Sequence, residues 1–338
     1  MTSEEPGRLK PRLGERADAD AAQVPGSRPE GLVRKQHVVS QVLLRQFTEP
    51  DQNGGRVLRS CNLESGRWRT KGTSVCGYFE HWMPVLSVSI EKLWQEVEVK
   101  LRHAVAIVEA GAVFDEHDAL DIVRDAVALH HIRSIHMRTV AQRAAREVYL
   151  KLRGRAVDLH SNALTGTARH NGGHTPRSRA DLEEMIDEQV RQRGFPEVDL
   201  IFRHKMEGTY EQVKAIFRDA SVQILEPPGS REFLIADVPV CGYRFGSNQL
   251  GPLDGLGLYH TGHFTMPLSP KYATRLAISK LSGYYRLSGT ESDKVNARQI
   301  QHAYRELYLR PGSTTEEFVM RNMAAWRKPA AISPLSIV

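Results

Sequence analysis

The sequence predicts an α+β domain dominated by helices, with a small central antiparallel sheet packed against long helices. Three observations carry that prediction. Apolar residues recur at helical spacing over a long stretch from Ile90 to Val108 and again from about residue 115 to 153. Short alternating or β-branched runs bounded by Gly, Pro and Ser fall in two groups, at 56–70 and 221–278. The 338 residues are 41% hydrophobic and 25% charged, a globular balance with enough chain for one large domain.

Composition also limits function. The first residues, Met-Thr-Ser-Glu-Glu-Pro, lack the basic start and apolar run of a secretory signal, and no apolar run approaches the roughly 18 residues of a membrane helix. No membrane partner is expected, and the cytoplasm is the expected location. Cys61, Cys76 and Cys241 form no Cys-x-x-Cys pair and leave an odd count, so they read as reduced structural thiols rather than a disulfide framework or a zinc site. A net charge of +6 and a pI near 9.2 permit an acidic partner such as nucleic acid, although 46 basic against 40 acidic residues is a mild excess.

Along the chain, residues 1–32 are rich in Glu, Arg, Pro, Gly and Ala without apolar periodicity and read as a solvated tail. An ordered unit is expected over 33–328, followed by a short tail at 329–338. Helical spacing from His37 to Phe47 would place His37, Gln41 and Arg45 on a single face, either as half of a site or as the polar side of a capped helix. Arg56–Leu63 and Gly66–Thr70, joined through Glu64-Ser65-Gly66, predict a hairpin. The helix from Ile90 carries Glu91 and Glu98 seven apart, on a shared face. Such a pair could bind a divalent metal or act as acid and base, or be solvated with Glu98 meeting Arg102.

A second long helix, capped by Asp115, is expected to run to Arg153 and to carry His130, His131 and Arg133. Asn162 to Pro176 reads as a loop, Ser178 as the cap of a helix stopping at Gly194, and a further helix follows through Tyr210 to Phe217. Val222–Leu225 and Phe233–Ala236 predict two strands around a tight turn, with Asp237 delivered at the end of the second and Pro239 stopping further pairing. Gly246 to Gly262 is Gly-rich without a dinucleotide fingerprint. Strands are expected at 264–268 and 274–278, then a helix from Ser292 to Arg305 and another opened by the box Ser313-Thr-Thr-Glu316.

Six motifs in this order resemble the bacterial domain-of-unknown-function family numbered 4238: Gln36-His37 through Phe47, Gly77-Tyr-Phe, Ile90-Glu91 with Val97-Glu98, Phe233-Leu-Ile-Ala-Asp237-Val-Pro239-Val, Pro267-Leu-Ser-Pro270, and Val295-Asn296-Ala-Arg-Gln299. The family pattern has proline, serine and asparagine where this chain has Ser40, Ala236 and Val238. The resemblance implies a bacterial intracellular protein and supplies no reaction.

Polar residues concentrated in apolar motifs point to a site. The expectation is a hydrolase-like, nuclease-like enzyme, used against phage or mobile elements, with His37 and Asp237 as the acid/base pair. Arg45, His131 and Arg133, with Gln41, Asn296 and Gln299, would bind a phosphate or other anion, and Glu91, Glu98 and Asp237 are candidate ligands for a divalent metal. The rival expectation is a non-catalytic binding protein in which His37, Arg45 and Asp237 form a structural network.

Overall fold

Val38-Val39 and the flanking residues favour extended backbone, and the chain accordingly enters on a strand, β1 (Lys35–His37), before α1 (Gln41–Gln46). Ser40 is the N-cap that separates them, its Oγ accepting from Val42 N at 3.2 Å. The expected helical stripe of His37, Gln41 and Arg45 therefore does not form, because His37 lies on the strand before the cap. The structure is a computed structural model that describes residues 35–80, 82, 87–170, 176–193, 198–243, 262–277 and 281–326.

A short strand β2 (Glu49–Pro50) leads into the predicted hairpin, β3 (Arg56–Asn62) and β4 (Arg67–Gly72), whose turn has Gly66 at φ +66°. Then β5 (Tyr78–Glu80) returns antiparallel to β1, with His37 opposite Tyr78. Gly77 precedes it at φ +61°, and a Cβ there would lie 2.9 Å from the Val39 Cβ, so no larger residue fits. Its carbonyl accepts from both Val38 and Val39, which fixes the bend after His37.

Five helices follow: α2 (Ser87–Glu109), α3 (His117–Ile132), α4 (Ile135–His170), α5 (Arg179–Arg193) and α6 (Val198–Arg218). The single helix expected from Asp115 to Arg153 is broken at Arg133–Ser134, where the Ser134 Oγ caps the next helix through Met137 N. Its second half continues past Gly154, with a non-helical residue at His160, so residues 162–170 of the expected loop are helical. Residues 171–175 of that loop, and 246–261 of the Gly-rich region, lie outside the described residues.

The second half supplies β6 (Ser221–Glu226), β7 (Ile235–Ala236), β8 (Cys241–Tyr243), β9 (His263–Pro267), β10 (Ala273–Ala277) and β11 (Gly283–Arg286). The chain then makes α7 (Gly289–His302), β12 (Glu306–Leu309) and α8 (Thr315–Asn322). A capping box, Ser288 with Glu291, starts α7 ahead of the expected Ser292, and it stops at His302 so that β12 can form. At α8 the N-cap is Thr314, Ser313 Oγ accepts from Thr315 N, and Glu316 pairs instead with Arg59.

The sheet is not one antiparallel unit. One five-stranded sheet has the order β11-β6-β10-β9-β8, with β11 parallel to β6, and the other runs β2-β3-β12-β7 with β4 on the free side of β3. The β6 and β7 segments expected to pair belong to different sheets, since β7 finds β12 and β6 finds β10 and β11. The main core joins α1, α2, α3 and α6 to the first sheet, and a second cluster fills the space between β3, β7, β12, α7 and α8. The helix-dominated α+β fold stands, with its strands divided between small sheets.

Candidate functional site

The segment 232–239 has backbone groups that β12 alone cannot satisfy, and α7 supplies the missing partners. Asn296 Oδ1 accepts from Leu234 N at 3.1 Å while its Nδ2 donates to Glu232 O at 2.9 Å. One turn on, Gln299 Oε1 accepts from Ala236 N at 2.9 Å and its Nε2 donates to Pro239 O at 2.8 Å. Residues 234 and 236 present their N–H groups on the same strand edge, and a three-residue helical step of about 4.5 Å lets two side-chain amides reach them. The Asn-x-x-Gln spacing is thus a substitute strand.

Asp237 closes the same segment. It is 2% exposed, and its Oδ1 accepts from Tyr304 N at 2.7 Å while Oδ2 accepts from Arg305 N at 2.8 Å and Glu306 N at 2.9 Å. Those three N–H groups belong to the turn between α7 and β12. Burial pushes the carboxyl up to about 7, and the three backbone donors pull against that rise.

A different cluster forms around Arg133, 1% exposed at the break between α3 and α4. Its Nε donates to Val38 O at 3.0 Å, one Nη to Glu98 Oε1 at 2.7 Å and the other to His130 Nε2 at 3.0 Å, with the Trp94 ring 5.4 Å below the guanidinium. His130 Nδ1 lies 2.8 Å from Ala126 O and so carries the proton, leaving Nε2 to accept from Arg133 and from Ser40 N at 3.2 Å. Burial holds this imidazole neutral, far below its ordinary value. Arg133 therefore ties the bend after β1 to α2 and α3.

Two side chains at this junction have capacity left over. His37 Nε2 and Glu91 Oε1 are both buried atoms without a hydrogen-bond partner. Both feel the Arg133 and Glu98 charges. Burial lowers the His37 pKa below 6.5, helped by Arg133 and opposed by Glu98 and by a hydrogen bond to the Ser74 backbone. The Tyr78 ring meets the imidazole edge-on at 6.1 Å. Burial raises Glu91 to about 7, with Glu98 adding to the rise and Arg133 opposing it. Near neutral pH the arrangement holds a neutral imidazole with a free ring nitrogen and a carboxyl that can be protonated.

Of the residues singled out from sequence, His37, Arg133, Glu91 and Glu98 come together here. Asp237, Asn296 and Gln299 come together at the second site, where their polar atoms are used by the backbone. Gln41 donates to Thr73 O at 2.8 Å, Arg45 is exposed at the end of α1, and His131 sits edge-on to Phe264 at 5.6 Å. Glu98 is bound to Arg133, and among the described residues no three His, Cys, Asp or Glu side chains converge as metal ligands. His130, named beside Arg133 on the expected long helix, joins the cluster at three-residue spacing, and Trp94 is the residue that sequence reasoning missed. The cysteines are free and buried.

No helix among the described residues is long and apolar enough to cross a membrane. Neither a curated protein nor a solved structure matches the chain. The profile of one family does, over residues 35–313, a span that contains both the Arg133 junction and the Asp237 segment. That span covers most of the sequence, and the chain belongs to the family described as protein of unknown function, DUF4238.

Proposed function

We propose that the protein is a hydrolase whose working acid/base pair is His37 and Glu91, held by the Arg133–Glu98 ion pair. The observation that carries this reading is the coincidence of two buried, unpartnered polar atoms, His37 Nε2 and Glu91 Oε1, in the field of one arginine whose three nitrogens are all engaged. Buried polar atoms are ordinarily paired, and two unpaired ones of complementary chemistry under the same Arg133 and Glu98 charges are what a reacting group would complete. In this reading His37 Nε2 takes a proton from water as it attacks, and the Glu91 carboxyl gives a proton to the leaving group. Arg133 positions both through Val38 and Glu98 and touches no substrate, because each of its three nitrogens already holds a protein partner.

Asp237 is then a structural carboxylate, and the expected His37–Asp237 pair is replaced by His37–Glu91. The test is hydrolysis by the purified chain of chromogenic esters, phosphomonoesters, phosphodiesters and glycosides, and of single- and double-stranded nucleic acid, beside the His37→Ala and Glu91→Gln variants. Hydrolysis of one class that falls in both variants supports the proposal. Turnover undiminished in either folded variant, or none with any class, overturns it.

A further inference from the structure

The groove between α7 and α8 is remote in function from the Arg133 junction. It opens beside the turn that ends at Arg231, has a volume of about 630 Å³, and is walled by Asp293 and Asn296 of α7 and by Glu317 and Phe318 of α8. Small-molecule sites commonly span about 300–1,000 Å³, so an organic group fits. Glu232 lines it, and that side chain is only half used. Its Oε1 accepts from Arg310 Nε at 2.7 Å, while Oε2 is buried without a hydrogen-bond partner.

The charges around the groove leave a negative excess. Arg310 is shared between two carboxylates, Glu232 and Glu49, so that group of three carries one uncancelled negative charge. Arg231 is taken up by Asp293 and by the carbonyl of Gly289, which neutralises that side of the entrance. On α8, Arg321 turns its Nε to the Glu317 carbonyl, and the charges of these two side chains cancel. Phe318 contributes an apolar wall.

We propose that this groove binds a monovalent organic cation on a short hydrocarbon stem, an ammonium or guanidinium group that donates to Glu232 Oε2 while Phe318 covers the stem. A hydrogen bond between two charged groups is short and about twice as strong as a neutral one, and the groove supplies the anionic half. The Arg310 and Asn296 contacts hold the Glu232 backbone and Oε1 in place without a ligand, and a small turn of the carboxylate brings the buried Oε2 to the groove.

The experiment is calorimetric titration of the full chain with n-butylammonium, Nα-acetyl-lysine amide and Nα-acetyl-arginine amide. Neutral Nα-acetyl-norleucine amide and anionic Nα-acetyl-glutamate amide serve as controls. Binding of the cations with one site per chain, at least tenfold tighter than either control, is the expected result. A capped residue binding more tightly than n-butylammonium assigns the cation to a peptide side chain, and equal binding assigns it to a free amine; both support the site. Glu232→Gln keeps an oxygen acceptor for Arg310 and should reduce cation binding at least tenfold. Absence of cation binding, equal binding of the neutral control, or binding unchanged in folded Glu232→Gln overturns the proposal. Should that variant fail to fold, the wild-type comparison of cation with neutral control decides alone. None of these readings depends on hydrolysis.

Discussion

Two polar clusters sit on apolar elements of this fold, and they differ in what is left over. Around Asp237, the carboxylate takes three backbone donors and the Asn296 and Gln299 amides are bonded at both ends. Around Arg133, the arginine, His130 and Glu98 are equally engaged, yet His37 Nε2 and Glu91 Oε1 are buried and unmatched. Residue type alone does not separate the two clusters, since each mixes an acid with neutral or basic polar groups. Unused hydrogen-bonding capacity does, because a fold gains nothing from a desolvated atom without a partner.

The sharpest way to break this contrast is at the pair itself. His37→Ala and Glu91→Gln should each lower hydrolytic turnover by about 10²–10⁴-fold, the usual worth of a positioned acid or base, with little loss of melting temperature. A smaller drop in either would show that the leftover atoms are not the reacting ones. The pH dependence of kcat/KM follows from the same groups. Activity should rise as His37 loses its proton, below 6.5, and fall as Glu91 ionises at about 7, giving a narrow bell whose alkaline limb disappears in Glu91→Gln. An alkaline limb that survives that substitution belongs to another group.

The saturated cluster should answer in stability instead. Asp237→Asn keeps the shape but turns an amide N–H₂ toward at least one backbone donor of the 304–306 turn. On the order of 2–4 kcal/mol of unfolding free energy should be lost, read as a displaced denaturant midpoint. Gln299→Ala removes the partners of Ala236 N and Pro239 O, and about 1–3 kcal/mol should go with them. Midpoints unchanged in both variants would mean that water replaces these contacts and that the cluster is not structural.

Much of the fold was legible because periodicity is a local property. The β3–β4 hairpin, α2, α5, α6, β9 and β10 fall where their patterns place them, with Gly66 at the turn. What failed was decided by distant partners. His37 matched a helical stripe, but Ser40 caps α1 behind it and β5, some forty residues on, claims it as a strand. The long helix broke at Arg133 because that side chain reaches Val38 and Glu98, contacts no window around residue 133 contains. Strand β12 falls between two expected helices, where no element was expected, since Asp237 and β7 make it a strand.

The site was half legible for the same reason. Glu91 and Glu98 share a helix face by simple spacing, and both reach the junction. Asp237 stood out as a carboxylate after an apolar strand, but only the position of the 304–306 backbone reveals that the turn consumes it. Short motifs that look reactive in sequence can be backbone substitutes, as Asn296 and Gln299 are.

The most direct test of this division compares the thermal stability of Asp237→Asn and Glu91→Gln at pH 8 with that of the native chain. Glu91 is raised from an ordinary 4.5 to about 7, so the stability it lends is complete below 4.5 and is lost as pH rises through about 7. Glutamine never ionises, and Glu91→Gln should therefore be more stable than the native chain at pH 8, by about 1–2 kcal/mol once partial exposure is allowed for, and no different at pH 4. Asp237 is raised to about 7 as well, but its carboxylate accepts three backbone N–H groups that an amide cannot all accept, and that loss outweighs the relief from ionisation, so Asp237→Asn should melt several degrees lower at pH 8. Shifts of opposite sign are the predicted result; a loss of stability in Glu91→Gln, or none in Asp237→Asn, would contradict the account.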